Sequence, residues 1–284
     1  MRVLRRKLAL VVVTGVCGLG GLLAAPSAWA RTLNVNALAH IAYTGTTSAG
    51  LQWAGTINDR ALGNGGLVAS FGRSGAGYRG TGTIVSPSGS LTETVQVTVH
   101  LEGHLVRFGI TAGVTDATGR FTGARGTLSG TALVTATNSV GTLRLHGTLH
   151  GASGRAPAPL GGVRHVDGHF LGVELSLARN GVETVVGSVI GLVPGPAVMV
   201  AYERATTTNS HGTLTVFAAG GTLTGGFDVR FPGGGQVRTE TGTYTFTGGS
   251  GDLSGAHTTP LVVRGRRDLK LQRIDTHMKG ALTL

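Results

Sequence analysis

Apolar and polar side chains alternate along this chain with a period of two. Val95, Val97, Val99 and Leu101 alternate with Gln96, Thr98, His100 and Glu102, and Phe227, Val229 and Phe231 alternate with Asp228 and Arg230. Successive side chains of a strand point to opposite faces, so the pattern predicts strands with one face on a core and the other in water. About eight such runs occupy each half of the chain, broken by clusters of Gly, Pro, Asn and Ser, and no 3.6-residue period is sustained. Many short strands at this spacing predict an antiparallel sandwich or a closed barrel. Closure removes the unpaired sheet edges that invite aggregation.

The chain also resembles itself. Asp116–Ala124 aligns with Gly248–Ala256 at an offset of 132, and the same offset places Ser90-Leu91-Thr92 on Thr222-Leu223-Thr224 and Gly55-Thr56-Ile57 on Gly187-Ser188-Val189. Separated matches at one offset are the mark of an internal duplication. Between the copies, 151–164 is rich in Gly and Pro, as linkers between domains are. The predicted organisation is a leader over 1–30, a first domain over 31–150, this linker, and a second domain over 165–284.

The leader reading rests on three parts in order. Arg2, Arg5, Arg6 and Lys7 precede an apolar run from Leu8 to Leu23, which ends at the small-x-small tripeptide Ala28-Trp29-Ala30. That is the layout of a cleaved secretory signal, and the run is short for a bilayer span. The expectation is a secreted or cell-envelope protein with no membrane span once the leader is removed. Composition sharpens this picture. The chain carries 50 Gly among 284 residues, a charged fraction of 13% and a formal net charge of +11, which falls to +7 without the leader. The only cysteine, Cys17, lies in the leader, so disulfide scaffolds and thiol nucleophiles are excluded from the remainder. Only three of the 24 basic residues are Lys, a skew toward Arg that suggests a GC-rich bacterial genome.

Thr247-Gly248-Gly249-Ser250-Gly251-Asp252-Leu253-Ser254-Gly255-Ala256 resembles the strand–turn–strand segment of allene oxide cyclases and, more distantly, of dirigent proteins. Thr118–Gly126 resembles it again in the first half. The resemblance implies two tandem antiparallel eight-stranded closed barrels, each around a central cavity. It covers a turn, and no catalytic residue of that family is matched, so it implies a fold and carries no reaction.

Chemistry motifs are sparse. Gly75-Ala76-Gly77-Tyr78-Arg79-Gly80 spells GxGxxG but precedes a strand candidate, whereas a dinucleotide site needs a helix there. It reads as a flexible turn, and no cofactor is predicted. His100/His104, His146/His150 and His165/His169 are spaced by four, which on a strand separates them by roughly 13 Å, so surface histidines are expected and no metal site. Arg264, Arg266, Arg267, Lys270 and Arg273 form a basic cluster that reads as a solvated face, open to anionic cell-envelope polymers. Nucleic acid is not expected, because no aromatic platform accompanies it.

The duplication supplies the sharpest functional expectation. At the 132 offset Phe71, Phe108 and Ala112 become Glu203, Glu240 and Tyr244, and Val106 becomes Arg238. If the register holds, these four line a polar lumen in the second domain, with Arg238 opposed to Glu203 or Glu240, able to hold the polar end of a ligand. Alternatively a bulge near Gly242 turns the face and leaves Arg238 and Glu240 in water. The leading expectation is a non-catalytic barrel protein binding a small apolar ligand or serving at the cell envelope. The alternatives are a cyclase or isomerase acting in the second lumen, and a structural module contacting wall polymers.

Overall fold

The computed structural model describes residues 31–284 except 49, 136, 138, 155–159 and 180, and except the side chains of 176–179. The predicted leader and the middle of the predicted linker lie outside the described residues. The first copy comprises β1 (Arg31–Thr47), β2 (Gly50–Asp59), β3 (Gly63–Ser74), β4 (Gly77–Ser86), β5 (Gly89–Glu102), β6 (Leu105–Ala117), β7 (Arg125–Thr135) and β8 (Val140–Ala152). The second comprises β9 (Val163–Arg179), β10 (Val182–Ile190), β11 (Ala197–Ala205), β12 (Asn209–Ala218), β13 (Gly221–Arg230), β14 (Val237–Gly251), β15 (His257–Thr258), β16 (Leu261–Asp268) and β17 (Arg273–Thr283). Each copy is an antiparallel meander closed into an eight-stranded barrel, the first by β1–β8 pairing and the second by β17–β9 pairing. β15 is a two-residue strand on the end of β17, so the stretch that is one strand in β7 is split in the second copy.

The offset of 132 found in the sequence runs through the whole architecture. Arg31 and Val163, Gly50 and Val182, Gly77 and Asn209, Gly89 and Gly221, and Leu105 and Val237 each begin corresponding strands. The repeated glycine motif has a physical reason. Gly119 and Gly251 have φ of +58° and +62°, a left-handed conformation, and a Cβ on either would collide with a carbonyl oxygen, that of Ser88 or of Gly220. These turns fold Phe121 and Ala124, and likewise Leu253 and Ala256, into the barrel cores, where all four are buried. The motif therefore closes one end of each barrel.

Period-two alternation puts the expected apolar faces inward, with one departure. Val95 and Val97 are buried and Val99 packs partly on the core, but Leu101, predicted on the same face, is 81% exposed. It lies at the end of β5, past the packed part of the barrel. The run Ala197-Val198-Met199-Val200-Ala201 does not alternate, because β11 is covered on both sides. Met199 and Ala201 face the second lumen, while Val198 and Val200 pack with Ala42, Val85, Val173 and Val186 between the barrels. A Cβ on Gly66 would sit 2.4 Å from the Val198 Cβ, so glycine there lets the barrels approach. The pair is joined further by a Gly220 N–H donating to the Ser86 carbonyl at 3.1 Å.

Candidate functional site

The two lumens share a fold and differ in content. In barrel 1, Leu51, Phe71, Tyr78 and Phe108 project inward from β2, β3, β4 and β6, toward the end away from the Phe121 plug. With Trp53, Val97, Ile110 and other apolar side chains they line a cavity of about 220 Å³. Trp53 packs edge-on against Phe108, their ring centroids 5.8 Å apart, so two walls of the cavity are braced.

Below it, a void of about 30 Å³ shares Leu67, Ala69, Phe71, Ile110 and Leu143 with the cavity and reaches Glu93. Glu93 is 2% exposed and its Oε1 is buried with no hydrogen-bond partner. Gly82 on the adjacent strand leaves room for the carboxyl, since a Cβ there would lie 3.6 Å from Oε2. Burial without a compensating cation pushes the Glu93 carboxyl up to about 7. The sequence reading missed this residue, although a signal was present. Val97 and Val95 extended back by two fall on Glu93, a carboxylate on the apolar parity.

At the same height in barrel 2, the 132 offset replaces Leu51, Phe71, Tyr78 and Phe108 by Glu183, Glu203, Ser210 and Glu240. These polar groups do not surround an apolar cavity. Glu183 and Glu203 converge on Arg267, which is 2% exposed. Its Nε and Nη2 donate to Glu174, its Nη1 and Nη2 to Glu203, and Nη2 also to Glu183 at 3.4 Å. The Ser210 hydroxyl donates to Glu203 at 2.7 Å, and the guanidinium lies 5.3 Å from the Phe231 ring centroid.

Burial alone would lower the Arg267 pKa, but the Glu203 and Glu174 carboxylates hold it above its usual value. Glu183 is raised, first by burial and then by the like charges of Glu174 and Glu203. Oxygens of Glu174, Glu183 and Glu203 lie within 4.8 Å of one another, and Arg267 already supplies the positive charge among them.

Glu203, Glu240 and Tyr244 face the second lumen and are buried, at 2%, 2% and 4% exposure. The Thr276 hydroxyl lies 3.5 Å from Glu240 Oε1, while Oε2 is buried without a partner, and burial raises this carboxyl too, to about 7. Burial likewise raises the Tyr244 hydroxyl well above its usual value, and its ring packs edge-on against Phe227.

Arg238 does not oppose either glutamate as expected. It donates to the backbone carbonyls of Thr207 and Gly235 at the barrel rim. The counter-ion is Arg267, a residue that the sequence pattern places on a solvated basic face. Its strand carried the correct signal. Leu261 and Val263 are buried, and the same parity in β16 reaches Gly265 and Arg267. The bulge in β14 falls opposite Thr224 and Gly225, at Thr247, and not near Gly242, so Glu240 keeps its inward register.

Protein-family profiles, curated proteins and solved structures were all compared with the chain, and none matches it.

Proposed function

We propose that the chain is an exported two-barrel protein whose first barrel holds a small, largely apolar molecule, with Glu93 as the polar contact at the base of the cavity. The observation that carries this reading is the juxtaposition of an apolar cavity of about 220 Å³ with a buried carboxyl oxygen that has no partner. Apolar cavities of about 150 Å³ stay dry and take up benzene-sized molecules, so this one suits a molecule of one or two rings. The lining gives affinity through apolar burial, and one polar group gives orientation. An ionised Glu93 accepts from a ligand O–H or N–H, and a protonated one donates to a carbonyl. Barrel 2 serves as the rigid neighbour, its lumen filled by the Arg267 cluster. Export rests on the leader pattern of 1–30. The turn motif's resemblance to allene oxide cyclases supports a cavity-bearing barrel and supplies no reaction.

The test uses 6-propionyl-2-(dimethylamino)naphthalene, a neutral two-ring fluorophore that brightens in apolar surroundings. Trp53 lines the cavity and is the only tryptophan beyond the leader, so energy transfer from it reports probe bound near barrel 1. Saturable transfer is expected from the wild-type chain, with loss in Ala69→Phe, which fills the cavity while leaving the strand ladder intact. Uptake by Ala69→Phe equal to wild type would refute the reading.

A further inference from the structure

The outer wall of barrel 2 carries a group of side chains that neither lumen uses. β9 and β17 close the barrel, and their register sets His169 directly opposite His277. The two imidazoles stack with ring centroids 4.3 Å apart and planes within 6° of parallel. Asp275 lies two residues before His277 on the same face, and its Oδ1 is 2.7 Å from His169 Nε2. One donor atom from each of the three residues lies within 4.8 Å of the others. Asp275 and His277 are exposed and His169 is partly so, which leaves the donors open to solvent.

We infer that His169, His277 and Asp275 form a binding site for a borderline divalent transition cation of the Zn²⁺ class. Neutral imidazole nitrogen and carboxylate oxygen are ligands such ions take, at about 2.0–2.2 Å. Tetrahedral bonds of that length space the ligand atoms roughly 3.3 Å apart, so the triangle of donors contracts onto an ion by side-chain rotation alone. The backbone need not move, because all three residues sit on two hydrogen-bonded strands. Three protein ligands leave a coordination position for water. Hard cations such as Mg²⁺ and Ca²⁺ prefer all-oxygen shells and fit this donor set poorly.

Cations flank the site, since β16 sets exposed Arg264 opposite His277 and exposed Arg266 opposite Asp275, whereas two others on this wall are engaged. Lys279 lies 3.6 Å from Asp167, and the Arg273 guanidinium stacks 4.6 Å from the Tyr43 ring centroid. The four-residue spacing of His165 and His169 does not bear on the site, since the second imidazole arrives across the barrel seam from the last strand.

Calorimetric titration of the full chain with ZnCl₂ at pH 7.5 tests this, alongside His169→Ala, His277→Ala and the double variant. Wild type should show one saturable site, and each single variant should weaken it at least tenfold. Loss of a mere outer-shell partner already costs about 10–100-fold. The ion would bridge the two closing strands of the folded state, so saturating Zn²⁺ should raise the Tm of wild type and leave that of the double variant unchanged. With Cu²⁺ as a spectroscopic probe, electron paramagnetic resonance should show coupling to two nitrogens, lost in the variants. Far-ultraviolet circular dichroism confirms that the variants fold. The inference is overturned if the double variant binds Zn²⁺ with wild-type affinity and stoichiometry, or if wild type shows no saturable site.

Discussion

Replacing Glu93 by Gln tests the barrel 1 site through its proton. The folded carboxyl titrates near 7 because it is buried, whereas the unfolded one titrates near the ordinary 4.5. Folding therefore favours the protonated form. Stability from this group is complete below about pH 4.5, is lost as pH rises, and levels off above about 7. Between pH 5 and pH 8 the two titration curves diverge by about 2.5 kcal/mol, at 1.36 kcal/mol per unit of pKa difference. Gln keeps the shape and cannot ionise, so Glu93→Gln should lack this pH-dependent loss. Titration of Glu240, which both proteins share, cancels when the variant is compared with wild type at each pH, and the variant's own baseline cost cancels when the pH 5 and pH 8 differences are subtracted. The assay is urea unfolding followed by Trp53 fluorescence, which reports barrel 1, at pH 5 and pH 8. Relative to wild type, the variant should gain about 2.5 kcal/mol between the two. A gain under about 0.5 kcal/mol would refute the claim that the carboxyl is buried without a cation.

Three other perturbations separate the remaining assignments. Arg267→Met removes the cation that pairs with Glu174, Glu183 and Glu203, and should cost about 3–5 kcal/mol at pH 8, with a smaller loss at pH 5 where the carboxylates can take protons. Arg238→Ala, at the rim, should stay within about 0.5 kcal/mol of wild type in the same denaturant assay; a loss as large as that of Arg267→Met would return Arg238 to the cluster. Gly66→Val forces a side chain onto Val198 and should cost about 1–3 kcal/mol or drive the barrels apart, seen as a larger radius of gyration in small-angle scattering.

Much of the architecture was present in local pattern. Period-two alternation gives strands, glycines mark the turns, and one offset reveals the duplication, because each of these is a property of neighbouring residues or of two similar segments. The inward placement of Glu203, Glu240 and Tyr244 followed from the same reasoning, since strand parity carries a side chain to a face wherever no bulge intervenes. What alternation could not determine was the partner across the lumen. Arg238 and Arg267 both lie on inward parity, and only closure of the barrel decides which guanidinium meets the glutamates.

Glu93 shows the same division. Its sequence position betrays a carboxylate on an apolar face, but its lack of a partner is a property of seven other strands. His169, His277 and Asp275 meet only because β17 returns to β9. The sequence by itself determined the strands, their repeat and their faces, which are set by steric and hydrophobic rules acting over a few residues. The tertiary structure alone decided which barrel stays hollow and which side chains meet across a lumen or a seam. Those outcomes depend on distances between residues far apart in the chain, and closure of the sheet brings them together.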